Sequence, residues 1–206
     1  MSATPVASAT ANPKKLVELQ VLFDEVAAGC FELVPRPADL PDVEETGDTL
    51  GDNARLKAVA VMEATGCAAI ADDTGLEVDA LDGAPGVRSA RFSGGDHDDD
   101  ANVALLLSKL AGVSEPTARS ARFRTVICIA RPDGEIAFAE GVCEGTIADE
   151  RHGDAGFGYD PVFVPVEGDG RTFAEMAPDE KNAISHRGRA IRAAGDLLVD
   201  FVGLGS

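Results

Sequence analysis

Residues 69–92 read AIADDTGLEVDALDGAPGVRSARF. The stretch opens as a short apolar strand, Ala69 to Ala71, of the kind a sheet buries on both faces. Two adjacent carboxylates, Asp72 and Asp73, follow at once, then Thr74 and Gly75. Like charges this close raise each other's pKa unless a cation compensates. Ligand crevices in open α/β sheets lie at the carboxyl ends of strands, and the reading places the pair at such an end. Two uses fit it. A divalent metal held there would supply the compensation and let one carboxylate serve as a general base toward water. Alternatively, the pair caps the turn before Gly75.

Working outward, the chain alternates strand and helix. Residues 6–10 predict a first strand. NPKKLVELQVLFDEVAAG (12–29) predicts a helix with Asn12 as N-cap, Pro13 at its first position and Gly29 as its stop. Leu16, Leu19, Phe23 and Val26 form its apolar stripe. CFELVP (30–35) predicts a strand, residues 49–65 a helix with Leu56, Val59, Ala60 and Ala64 on one face, and residues 98–110 another helix opened by an Asp cluster. ARSARFRTVICIARPDGEIAFAEGVCEG (118–145) predicts a β-hairpin turning at RPDG. GFGYDPVFVP and RTFAEM predict short extended pieces, and ISHRG opens a final helix with Ser185 as its N-cap. The fold class is therefore α/β with a mixed, partly antiparallel sheet. No linker interrupts it, so residues 1–206 are expected to form a single domain of two lobes around one central cleft.

Composition narrows the function. An apolar fraction of 45% and a charged fraction of 26% are those of a soluble globular protein. The longest apolar runs, VALLL and VICIA, cannot span a bilayer. The N-terminal MSATPVASAT has no basic region or apolar core, so the expected location is cytoplasmic and no membrane partner is expected. Cys30, Cys67, Cys128 and Cys143 have no zinc-site spacing and read as ordinary buried thiols. A net charge of −18 argues against a duplex nucleic acid partner. A nucleotide needs only a local cationic pocket. Of the five lysines, Lys14, Lys15, Lys57 and Lys181 fall inside the motifs below. A bias toward arginine explains their scarcity but not their placement.

Those motifs carry the chemistry. SATANPKK (8–15) runs a strand into a helix start with two lysines, a phosphate site without a Walker A loop or a capped surface helix with solvated lysines. VEETGDTLGDNARLKA (43–58) offers Glu44 and Glu45 in a loop and Lys57 on the following helix. Such a loop can hold magnesium or simply be solvated. GFGYDP (156–161) lets backbone approach a ligand while Phe157 and Tyr159 offer flat faces to a base, or it is a turn with core aromatics. It is not a dinucleotide GxGxxG. DEKNAISHRGRA (179–190) gathers Lys181, His186 and Arg187 at one helix start, where a satisfied structural histidine is the other possibility.

Taken in order, ATANPKK, EETGDTLGDNARLKA, AIADDTGLEVDALDGAPGVRSARFSG, GFGYDPVFVP and EKNAISHRGRA resemble the Ham1-like inosine/xanthosine triphosphate pyrophosphatases, which clear noncanonical purine nucleotides. The resemblance runs from about Val6 to the final helix. It implies a long twisted mixed β-sheet with two α/β lobes around a cleft, and a homodimer. It implies magnesium-dependent hydrolysis of ITP, dITP and XTP to the monophosphate and pyrophosphate. By position it implies that Thr10, Ala11, Asn12, Pro13, Lys14 and Lys15 cradle phosphates, with Lys57 a second phosphate ligand. It gives Glu44 to the metal, with Glu45 as substitute. Asp73 becomes metal ligand and catalytic base toward a water attacking the α-phosphorus, and Thr74 touches the substrate. Phe157, Gly158, Tyr159, Asp160, Lys181, His186 and Arg187 become the nucleobase pocket. Three positions depart from the family pattern: Ala11 for the usual Gly, Thr74 for the commoner Ser, and Arg88 where an aromatic is frequent. None removes a charged catalytic group.

A 6-oxo purine should accept hydrogen bonds from Arg187 or backbone N–H groups, whereas adenine would leave those donors unpaired. Two rival functions are a related pyrophosphatase acting on other modified nucleotides and a nucleotide-binding regulator without turnover. A haloacid-dehalogenase-type phosphatase would need DxDx[TV], which DDTG does not match.

Overall fold

Alternating short strands and amphipathic helices bury one face each, and the chain arranges them accordingly. The computed structural model describes residues 3–10, 13–27, 29–95, 98–113 and 115–201. Its strands are β1 (Thr4–Ser8), β2 (Phe31–Pro35), β3 (Ala69–Val78), β4 (Pro85–Gly86), β5 (Ser120–Ala130), β6 (Ile136–Ile147) and β7 (Phe163–Pro165). Its helices are α1 (Pro13–Ala27), α2 (Leu50–Thr65), α3 (Asp99–Lys109), α4 (Pro178–Ile184) and α5 (His186–Phe201). The seven strands form one mixed sheet in the order β2-β1-β3-β5-β6-β7, with β4 paired to β3. β1 runs parallel to β2 and β3, while β3/β4 and β6/β7 are antiparallel. The α/β class with a mixed sheet is thus the one observed.

The chain divides into two compact units. One comprises Met1–Asp73, Thr125–Gly141 and Gly188–Ser206; the other comprises Thr74–Arg124 and Val142–Arg187. In the first, α1 and α5 bring Leu19, Phe23, Ile191 and Leu198 onto Val6, Leu33, Ile70, Ile127 and Ile129 of the sheet. A smaller apolar group joins Ala54 and Ala58 of α2 to Ala71, Cys128 and Ala130. In the second, Leu76 and Val78 pack with Val103 and Leu106 of α3, with Leu110 just beyond it, and with Phe123, Phe163 and Phe173.

Four elements differ from the sequence reading. β3 does not stop at Ala71; it continues through Asp72 and Asp73 to Val78. Its parallel partner β1 ends at the Ser8↔Ile70 pairing, but the glycine- and proline-rich segment folds back as β4 and pairs Leu76 with Gly86 and Glu77 with Pro85. Leu76 and Val78 are fully buried while Glu77 is not, the alternation of a half-buried strand. The two aspartates therefore lie mid-strand, beyond the end of β1 rather than at the end of their own strand. α2 buries Leu50, Asn53, Ala54, Ala58 and Val61, leaving Leu56 39% exposed, because the 3–4 spacing of the small residues sets its inner face. Finally, Phe173–Glu175 is a turn of 3₁₀ helix, not an extended piece, closed by a reciprocal Thr172/Glu175 capping box. A separate short helix, α4, precedes α5; Ser185 joins them with extended backbone.

Buried Arg119 organises the second unit. Its Nε donates to Ile147 O at 2.7 Å, Nη2 to Ala148 O at 2.7 Å, and Nη1 to Leu110 O and Val113 O at 3.1 Å each. It thereby satisfies carbonyls at the ends of α3 and β6 that the fold cannot expose to water. Replacing it with Met strands those carbonyls, and Arg119→Met should lose about 3–5 kcal/mol of stability in urea unfolding. A loss below about 1 kcal/mol would show that water replaces the guanidinium without penalty.

Candidate active site

The inner face of α2 carries two polar side chains among its small residues. Thr49 fixes the helix start, its hydroxyl accepting from Asp52 N–H at 3.1 Å. One turn on, Asn53 is 1% exposed, and the next turn brings Lys57. Lys57 Nζ donates to Asp73 Oδ1 at 2.7 Å and to Glu45 Oε1 at 3.2 Å. Asn53 Nδ2 approaches Asp73 Oδ2 at 3.4 Å while its Oδ1 accepts from Gly47 N–H at 2.8 Å. One asparagine thus ties the acidic loop to the strand carboxylate. Gly47 is required there, since a Cβ would lie 2.5 Å from Asp52 Cβ and 2.7 Å from Asn53 Oδ1.

These contacts set the electrostatics. Burial pushes the Asp73 carboxyl above its ordinary 3.8, against the pull of Lys57 and the Asn53 amide, and Glu45 adds to the rise. Burial by itself would lower Lys57, but the charges of Asp73, Asp72 and Glu45 together hold its ammonium above 10.5. The result is a half-buried cation facing a carboxylate whose proton affinity is enhanced. That is a suitable constitution for a base.

In the second unit, Phe157 to Asp160 form a tight turn leading into β7. Phe157 is 52% exposed, and Lys181 Nζ and Arg187 Cζ lie 5.3 and 5.4 Å from its ring centre. Asp160 is buried; its Oδ2 accepts from Lys181 Nζ at 2.6 Å and from Phe157 N–H at 2.9 Å. His186 is buried and stacks on Phe123, ring centres 4.4 Å apart. Two flat faces were expected from this segment, and one is found. Tyr159 turns inward to 4% exposure, and its hydroxyl donates to Ser89 O at 2.8 Å. A buried phenol needs such a partner, and the core supplies it.

The remaining sequence expectations fall as follows. Thr10 lies just beyond β1, its N–H near Ser8 Oγ at 3.4 Å. Ala11 and Asn12 lie outside the described residues, as do the side chains of Pro13, Lys14 and Lys15, whose backbone opens α1. Glu44 is exposed; its neighbour Glu45 is the carboxylate bonded to Lys57. Thr74 follows Asp73 on β3 and is half-buried. Among the described residues, no group of three or more His, Cys, Asp or Glu is gathered to hold a metal ion. No helix among them is long and apolar enough to cross a membrane.

Comparison with known proteins decides the family. The Ham1 family model matches residues 6–197. The chain belongs to the Ham1 family. A dITP/XTP pyrophosphatase of Desulforamulus reducens is 51% identical over 190 residues, covering 92% of this chain and 93% of that protein. The dITP/XTP pyrophosphatase of Streptomyces avermitilis is 47% identical over 95% of this chain and 97% of its own length. A HAM1 protein from Coxiella burnetii superposes with a TM-score of 0.86 at 38% identity, covering 96% of this chain and 99% of that one.

In the first unit, the sequence places Asn53 one helical turn before Lys57 without giving it a role; the structure puts its amide between Gly47 and Asp73.

The Lys57–Asp73 pair makes a stability prediction. Lys57→Met leaves a carboxylate, with 11% side-chain exposure, without its cation. At pH 7 the loss should be roughly 2–3 kcal/mol. Asp73 already has a raised pKa, so the folded state favours its protonated form, an advantage lost as pH rises through that raised value. The penalty should accordingly shrink toward pH 4. Urea unfolding at both pH values checks this; an equal loss at both would contradict it.

Proposed function

We propose that this chain hydrolyses noncanonical purine nucleoside triphosphates, ITP, dITP and XTP, to the nucleoside monophosphate and pyrophosphate. Relatives with 45–51% identity over most of the chain are named dITP/XTP pyrophosphatases, which supports the activity and the triphosphate substrate. The observation that carries the chemistry is the half-buried Lys57 ammonium with Asp73 and Glu45 converged on it.

The donor set suits a hard divalent cation, and magnesium is our choice. Such ions are held through one or two carboxylates, with phosphates and water completing the shell, so a cage of three protein carboxylates is not required. Asp73 and Glu45, or Glu44 beside it, would hold the ion, which when bound neutralises phosphate charge and acidifies water. Asp73 accepts the proton of the water that attacks the α-phosphorus. Asn53 keeps its carboxylate oriented. Lys57 lies within reach of the same oxygens and would exchange a carboxylate partner for a phosphate oxygen. Lys14, Lys15 and the opening N–H groups of α1 would receive the departing pyrophosphate, with Thr10 to Pro13 as the loop beneath it. Thr74 would offer its hydroxyl to the substrate.

Phe157 would stack on the base, with Lys181 and Arg187 placed over its ring and Gly158 giving close backbone approach. Asp160 and His186 support this surface from beneath. Donors facing the 6-oxo group would leave ATP with unpaired partners, the costlier mismatch. We further propose a single pyrophosphatase domain, assembled as a homodimer and working in the cytoplasm.

With magnesium present, ITP and XTP should release pyrophosphate well ahead of ATP. Asp73→Asn should lose about 10²–10⁴ in kcat, the usual worth of a general base, while retaining nucleotide binding. Because Asp73 must be unprotonated to act, turnover of the wild type should fall as pH drops through the carboxylate range. Orthophosphate as the product would replace this reading with a phosphatase. Fastest turnover of non-purine triphosphates would move the substrate class, and ITP binding without turnover would leave a regulator.

A further inference from the structure

The Phe157 ring is half exposed, yet the peptide on each side of it is tied down. Phe157 N–H donates to buried Asp160, and Gly158 N–H donates to Asp99 Oδ2 at 2.8 Å. Asp99 lies on the first turn of α3, 59 residues away in sequence. Gly158 has φ +59°, a left-handed conformation that suits glycine and turns its N–H outward to that acceptor. The same helix turn holds the same loop a second time, through Arg151 Nη1 to Asp100 Oδ1 at 2.9 Å. Asp98 is left to cap the helix, accepting from Ala101 N–H at 2.9 Å.

The three consecutive aspartates therefore do three different things, and α3 is a firm support for them. Val103, Leu106 and Leu110 are fully buried. Asn102, 1% exposed, accepts from Ser93 N–H at 2.7 Å and donates to Ala90 O at 3.1 Å. A carboxylate at a helix N-terminus is itself favoured by the dipole.

We infer that Asp99 is a positioning residue for purine recognition: by anchoring Gly158 to α3 it fixes the orientation in which the Phe157 ring is presented to the base. The identity of the ligand rests on the function proposed above; the anchoring does not. Preorganisation of this kind lowers the ordering cost of binding, so its loss appears in affinity for ligands that carry a base.

The chain contains no tryptophan, so Phe157→Trp places a single fluorescent reporter on the turn. Adding Asp99→Ala should increase acrylamide quenching of that tryptophan and lower its anisotropy; Asp99→Asn, which keeps an acceptor oxygen, should restore both. In the otherwise wild-type chain, Asp99→Ala should raise KM for ITP about fivefold, with kcat changed less than about twofold. Inhibition by inorganic tripolyphosphate, which has no base, should be unchanged. Thermal unfolding monitors the fold, and retention of Asp98 preserves the helix cap. Unchanged quenching and KM would overturn the inference, as would equal weakening of ITP and tripolyphosphate. A wild-type enzyme that fails to release pyrophosphate from ITP would instead overturn the proposed function, while the tryptophan measurement would still decide the anchoring.

Discussion

A lysine drawn out of water needs negative charge beside it, and the polar interior of the first unit follows from that requirement. Lys57 sits on α2 beside the alanines of its inner face, with its side chain 19% exposed. It is satisfied by Asp73 from the sheet and Glu45 from the loop before α2. These partners are mutually repulsive, and the shared cation and the Asn53 bridge help make their proximity tolerable. A site that holds carboxylates together through a shared lysine is suited to accept a metal and a polyphosphate, because each newcomer offers charge that the existing partners already demand.

The same logic accounts for the distribution of cations in so acidic a chain. A net charge of −18 repels polyanions in general. Among the described residues, Lys57 is nonetheless held by Asp73 and Lys181 by Asp160. A fixed cation loses less entropy on meeting an anionic or aromatic ligand than a solvated one. Long-range attraction is given up and local selectivity is gained.

Much of this was legible from residues alone, because it depends on local pattern. The helix opened by the Asp cluster, the RPDG turn and the order of the five motifs are short-range features. What was not legible depends on neighbours remote in sequence. β3 extends past Asp73 because β4 folds back onto it. Tyr159 turns inward because Ser89, 70 residues away, offers a carbonyl, while Phe157 two positions earlier stays half exposed. The choice between Glu44 and Glu45 at Lys57 is likewise a matter of side-chain direction, which adjacent identical residues cannot reveal. The Asp cluster at α3 looked like helix capping, and for Asp98 it is; the partner of Asp99 lies across the unit.

The central claim is that the triphosphate is opened against the Lys57–Asp73 pair. A crystal structure of the Asp73→Asn variant soaked with ITP and magnesium tests it most directly. The account predicts the α- and β-phosphates beside Asn at position 73, with Lys57 Nζ moved from Glu45 onto a phosphate oxygen. A nucleotide bound elsewhere, with Lys57 still paired to Glu45, would contradict it.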